Sequence, residues 1–184
     1  MSYDPTQITY AVSLHFTKDV NDIISAATKE IAQLTGNNFM LDNKVPPHVT
    51  IGAFHVDKQD EPKLLQLVQD FAKTQTPGTI HFTEPGDFNQ KVLFIKPQKD
   101  EFLTTINKAL HKIILPQFTE GENGYYLPDI WFPHTTLATR LNQTQFSQAL
   151  DIANKIPLPL EANVHDIGVY LCSPFAELKR YLVE

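Results

Sequence analysis

Two histidines in this 184-residue chain sit in the same short context. Pro47-His48-Val49-Thr50-Ile51 and Pro133-His134-Thr135-Thr136-Leu137 each put proline before the histidine, threonine two positions after it, and an aliphatic residue next. On an extended strand, residues two apart share a face. His48, Thr50 and Gly52 should therefore point one way, with Val49, Ile51 and Ala53 behind them. By the same parity His134, Thr136, Ala138 and Arg140 share a face. Histidine titrates near neutral pH and can take or give a proton. Two imidazoles flanking a phosphodiester can act as base toward the attacking oxygen and as acid toward the leaving oxygen. Threonine hydroxyls beside them can donate to the non-bridging oxygens, where charge must be stabilised.

That chemistry requires no metal. Neither His-Glu-x-x-His nor a pair of cysteines occurs, so no metal site is expected. No cofactor is expected either, and there is no P-loop to activate a nucleotide.

The elements that must position the motifs follow from periodicity. Tyr10 to Phe16 alternates as a strand, and Val20, Ile23, Ile24, Ala27, Ile31 and Leu34 form one helix face. Asp19 is placed to cap that helix and Gly36 to end it. After a polar loop, His48 to Val56 reads as a strand. A helix opened by Asp60 and Pro62 comes next, carrying Leu64, Leu65, Val68 and Phe71, and then a strand over Thr79 to Thr83. The second half repeats this order. It has a strand over Lys91 to Lys96, a helix carrying Phe102 to Ile114, a strand over His134 to Leu141, and a helix capped by Thr144 or Asn142. Two strand-like runs between Leu158 and Glu184 are broken at Ser173-Pro174. Each half alone is too small to bury its apolar faces. The expected fold is therefore α+β: two pseudo-symmetric lobes, about 1–88 and about 89–184, making one bilobal domain. Antiparallel sheets face each other across a central cleft that carries both histidine strands, with the helices outside.

Composition narrows the partners. The formal charge of −6 and the lack of a basic face argue against tracking a DNA duplex and favour a nucleotide or the end of an RNA. The single cysteine, Cys172, excludes an intramolecular disulfide and fits a reducing, cytoplasmic setting. Met1 to Phe16 has no basic start followed by an apolar stretch, no run is long enough to span a bilayer, and nothing points to an obligatory protein partner.

The paired His-x-Thr-x strands in a duplicated framework resemble the 2H phosphoesterase superfamily, which includes the 2′-5′ RNA ligase-like proteins and cyclic nucleotide phosphodiesterases. The resemblance covers nearly the whole chain. It implies that His48 and His134 are the acid/base pair, that Thr50 and Thr136 hold the phosphate, and that the substrate is a 2′,3′-cyclic phosphate or a 2′-5′ phosphodiester. It also implies a basic residue soon after the second motif. Arg140 fills that role one position later than the familiar His-x-Thr-Leu-x-Arg arrangement, where Thr139 stands instead. Two alternatives to hydrolysis are a 2′-5′ ligase run in the joining direction and a module that binds RNA ends or nucleotides without turnover.

Around the motifs, the long Pro116 to Pro133 loop carries Tyr125, Tyr126, Trp131 and Phe132. A nucleobase can stack on such rings, and Tyr126, Trp131 and Phe132 are taken as substrate-binding candidates. For Trp131 and Phe132 the competing role is core packing where the strand begins. His15 and His81 lie on strands and could line the cleft, although a structural role suits both. In an unbulged strand His55 turns away from His48. His111 falls on a helix, His165 near a late strand, and Lys44 and Lys91 read as solvated surface.

Overall fold

The computed structural model describes residues 7–183. In chain order the elements are β1 (Gln7–Phe16), α1 (Lys18–Thr35), a single-turn α2 (Phe39–Asp42), β2 (Val49–Asp57), α3 (Glu61–Lys73), β3 (Thr79–Phe88) and β4 (Val92–Pro97). Then come α4 (Glu101–Ile114), a short β5 (Thr119–Glu120), β6 (Thr135–Ala138), α5 (Gln143–Ala153), β7 (Leu160–Cys172) and β8 (Phe175–Leu182). All strand pairings are antiparallel, in the order β5-β2-β1-β7-β3-β4-β6, with β8 also paired to β7. The fold is α+β, as expected. No helix among the described residues is long and apolar enough to cross a membrane.

The duplication is visible in this order, with an exchange. Taking β1, β2 and β3 as equivalent to β4, β6 and β7, the run β2-β1-β7 mirrors β6-β4-β3. The third strand of each repeat thus completes the sheet of the other. The chain boundary near residue 88 falls inside the β3–β4 hairpin, where Phe88 pairs with Val92. Helices are exchanged in the same way: α1 packs on β6 and α5, while α4 packs on β2 and α3. Exchange gives each small half an apolar surface to cover that it could not supply itself. β7 joins the two sheets, pairing through Leu160–Asn163 with β3 and through Val164–Leu171 with β1.

Local chemistry explains most element ends. Gly36 ends α1 in the left-handed region at φ 70°. The residue capping α1 is Thr17 rather than Asp19, and its hydroxyl donates to the Asp19 carboxylate at 2.6 Å. Asn142, not Thr144, caps α5 in a reciprocal capping box with Gln145. β3 continues five residues past the expected Thr83, through Pro85 and Gly86. Pro85 sits opposite Ile95, and Gly86 leaves room for the Phe94 ring, 2.5 Å from where a β-carbon would stand. The core is formed by helix-facing residues such as Val12, Leu14, Ile24, Leu64, Val68, Leu93, Leu110 and Ile167.

Candidate active site

Both motif strands bulge immediately after the threonine. On β2, Ser13 pairs with Thr50 and Val12 with Gly52, so Ile51 has no partner of its own. On β6, Phe94 pairs with Thr136 and Leu93 with Ala138, which leaves Leu137 in the equivalent place. A bulge inserts one residue and reverses the alternation beyond it. Gly52 therefore turns toward α4, where a β-carbon would meet Leu110 at 2.9 Å, instead of sharing the face of Thr50. His55, in register with Thr9, returns to the face of Ser13, where its Nδ1 lies 3.1 Å from the Thr9 hydroxyl. The second bulge likewise takes Ala138 and the residues beyond it off the His134 face.

The two histidines are held alike. His48 donates its Nδ1–H to the carbonyl of Pro46 at 2.7 Å, and His134 donates its own to the carbonyl of Phe132 at 2.9 Å. Each bond reaches back two residues over the proline. In the neutral ring this fixes the tautomer and leaves Nε2 as the free basic nitrogen. The motifs also touch, since the Thr135 hydroxyl donates to the His48 carbonyl at 2.8 Å. Burial lowers the pKa of His48 below its ordinary value, and repulsion from His134 and Arg180 reinforces this against the bond to Pro46. Burial lowers that of His134 as well, against its bond to Phe132.

On the His48 side, strand register assembles a polar floor. Ser13, His15, Gly168, Tyr170, Glu177 and Arg180 share one face with Thr50 across β2, β1, β7 and β8. The Thr50 and Ser13 hydroxyls lie 3.1 Å apart. Fully buried His15 contacts the Pro47 carbonyl through Nδ1 at 3.2 Å and the Tyr170 hydroxyl through Nε2 at 2.9 Å. Burial, then repulsion from His48 and Arg180, sets its pKa well below the ordinary value. Glu177 accepts from Tyr170 at 3.1 Å and from Arg180 at 2.9 Å, while Arg180 Nε is buried without a partner. Gly168 is required here, because a β-carbon would stand 2.6 Å from the Tyr170 ring and 2.7 Å from His15 Nε2.

On the other side His134 sits among aromatic rings. Phe88 meets it edge-on at 5.1 Å, Phe94 lies at 5.2 Å and Phe132 at 6.5 Å. Phe88 and Phe132 are exposed, at 39% and 46%.

The structure sorts the expected residues. Both histidines, Thr50, Tyr126 and Phe132 come together. The Tyr126 side chain lies near Thr50, and burial pushes its pKa up to about 12. Half-buried Thr136 pairs with Phe94 beside His134. Trp131 is 2% exposed and cannot offer its ring to a ligand. It donates Nε1–H to the Thr50 carbonyl at 3.0 Å and so supports the first motif from behind. Arg140 departs from the parity expectation. β6 ends at Ala138, Arg140 takes φ 58°, and its guanidinium stacks on Phe39 at 4.0 Å rather than on a motif residue. The cation near His48 is Arg180, in a strand that carries no motif. Ser13, Tyr170 and Phe88 were also missed, and only strand register could have revealed them. Among the other histidines, His81 pairs with Glu161, His165 lies against Asp166, and His111 is buried on α4. Lys44 and Lys91 are exposed. No metal-binding cluster of three or more His, Cys, Asp or Glu occurs among the described residues.

Known proteins share this fold. The sequence profile of the 2'-5' RNA ligase superfamily matches residues 24–171. A Bacillus cytotoxicus protein named "Putative phosphoesterase" is 28% identical over 109 residues, 58% of this chain and 59% of that protein, so the chain spans less than two thirds of this relative. TT0787 of Thermus thermophilus superposes with a TM-score of 0.65 at 18% identity, covering 96% of this chain and 98% of its own. E. coli LigT complexed with 3'-AMP superposes at 0.62 and 15% identity, with the same coverage. These structures share the fold. The superfamily profile covers well over half of the chain and encompasses both histidine motifs, so the chain belongs to the 2'-5' RNA ligase superfamily of 2H phosphoesterases.

Proposed function

We propose that this protein is a metal-independent phosphodiesterase that opens 2′,3′-cyclic phosphates, or cleaves 2′-5′ phosphodiesters, at RNA ends or on nucleotides. The observation that carries the reading is the matched tethering of His48 and His134. Each is fixed by an Nδ1–H bond to the carbonyl two residues back, which leaves two Nε2 atoms for proton transfer. Superfamily membership and the 3'-AMP complex of LigT support a nucleotide substrate.

With a cyclic phosphate bound, one Nε2 takes a proton from water, the water oxygen bonds to phosphorus, and a P–O bond to ribose breaks. The other Nε2–H gives its proton to the departing ribose oxygen. Thr50 and Thr136 donate to the non-bridging oxygens. Arg180 adds positive potential on the His48 side.

Repulsion between the two imidazoles disfavours protonating both, so one histidine serves as base while the other carries the proton and serves as acid. The Phe88–Phe94–Phe132 cluster gives the nucleoside a stacking surface beside His134. Turnover of 2′,3′-cyclic nucleotides and 2′-5′ dinucleotides in EDTA tests the reading. Hydrolysis without added metal is expected, and binding without turnover across the panel would contradict it.

A further inference from the structure

A cavity lies beside the two motifs, between them and the helices α1 and α2. About 300 Å³ in volume, it is lined by Ser25, Thr28 and Lys29 of α1, Met40 and Leu41 of α2, and Val45, Pro47 and Thr136. Its inner wall is thus the residue before His48 together with the second motif threonine. Thr136 stands between two environments: it is in register with Phe94 of the aromatic cluster, and it also lines this cavity.

The equivalent place in the other half is filled. There the longer segment between α4 and the second motif folds back, and Tyr126 closes over Thr50 with its carbonyl held by Asn107 of α4 at 3.0 Å. Trp131 plugs the remaining space and bonds the Thr50 carbonyl. The shorter segment between α1 and the first motif makes only the single turn of α2 and leaves its counterpart open. One of two duplicated positions has been closed by aromatic side chains and the other kept as a cavity.

The lining indicates what it takes. Met40, Leu41, Val45 and Pro47 offer apolar surface for a flat ring, and Ser25 and Thr28 add hydroxyls on one α1 face. Lys29 is exposed and has no carboxylate within ion-pair distance among the described residues, in a chain of net charge −6. The volume lies at the lower end of small-molecule sites, roughly 300–1,000 Å³. We infer that this α1 cavity is a subsite for a second nucleoside of the substrate, reached from the scissile phosphate past Thr136, with Lys29 positioned for a further phosphate. The inference rests on the phosphodiesterase reading above. It makes a dinucleotide or RNA end, rather than a cyclic mononucleotide alone, the fitting substrate.

The test compares kcat/KM for a 5′-phosphorylated 2′-5′-linked diadenosine phosphate with that for adenosine 2′,3′-cyclic phosphate, in the wild type, Ser25→Phe and Lys29→Ala. Ser25→Phe fills the cavity and should lower the dinucleotide-to-cyclic ratio at least tenfold. Lys29→Ala, on an exposed position that keeps the test alive if the bulkier variant does not fold, should lower it at least threefold. Ratios within twofold of wild type in every variant that folds would overturn the subsite and leave the phosphodiesterase reading standing. A wild type that cleaves only the cyclic substrate would do the same. A wild type inactive on both would overturn the phosphodiesterase reading and the subsite with it.

Discussion

Thr135, in the second motif, donates its hydroxyl to the main-chain carbonyl of His48, in the first, at 2.8 Å. This bond joins strands from opposite halves of the chain at the point where both histidines are presented. The site is therefore a product of the exchanged duplication and belongs to neither half alone. Because Thr135 lies behind the His134 face, it fixes the motifs relative to each other and leaves that face free. Thr135→Val removes a buried donor from an otherwise matched pair. We expect a loss of about 1–3 kcal/mol in denaturant unfolding, with kcat reduced and KM little changed.

The pH profile follows from the two tethered imidazoles. The proposed mechanism requires one neutral and one protonated histidine in the free enzyme, and burial lowers both pKa values below the ordinary 6.5. The kcat/KM maximum should therefore fall on the acid side of pH 6.5 and decline toward neutrality as the acid loses its proton. A bound phosphodiester anion stabilises the imidazolium, so the kcat profile should lie at higher pH than that of kcat/KM. Steady-state kinetics between about pH 4.5 and 8.5 checks both statements.

Arg180 and Arg140 make opposite predictions. Arg180→Met removes a positive charge that disfavours protonation of His48, so the corresponding pH limb should move upward while kcat/KM falls by at least about tenfold. Arg140→Ala loses only a stacking contact with Phe39 and should leave kcat/KM within about threefold of wild type. The reverse pattern would place the phosphate nearer to Arg140.

Stacking on the exposed rings should appear in substrate affinity. Phe132→Ala or Phe88→Ala is expected to raise KM on the order of tenfold for nucleoside substrates, from about 1–3 kcal/mol of base stacking. For a phosphodiester without a base, the same variants should match wild type. Fluorescence binding and steady-state kinetics separate the two cases.

Gly168 connects stability to the site. Gly168→Ala places a methyl group against Tyr170 and His15, and should cost about 1–3 kcal/mol in thermal or denaturant unfolding. Since those rings support the His48 side, activity should fall further than stability alone requires.

The features legible in the sequence were local ones. A repeated Pro-His-x-Thr-aliphatic run is legible because its residues are adjacent, and the caps at Gly36 and Asn142 are legible for the same reason. Face assignments beyond each threonine failed because Ile51 and Leu137 are bulged, and a bulge depends on the partner strand. The bulge at Ile51 redirected Gly52 and His55, and beyond the bulge at Leu137 Arg140 stacks on Phe39 instead of sharing the His134 face. Arg180 was invisible because β7–β8 pairing, not a motif, brings it opposite Gly168. Phe88 was missed because Pro85-Gly86 reads as a strand end, whereas pairing with β4 carries the strand through. The exchange of third strands likewise cannot be inferred from the order of elements, since each half presents the same sequence of elements with or without it.

The central claim, two-histidine hydrolysis of a phosphodiester without metal, is tested most directly by single-turnover cleavage of a nucleoside 2′,3′-cyclic phosphate in EDTA. Wild type, His48→Ala, His134→Ala and the double variant should be compared, with folding checked by circular dichroism. The prediction is a wild-type rate unaffected by EDTA, a loss of about 10²–10⁴-fold in each single variant, and little further loss in the double, because the pair acts as a unit. Near-wild-type cleavage in either single variant, or abolition of the wild-type rate by EDTA, would contradict it.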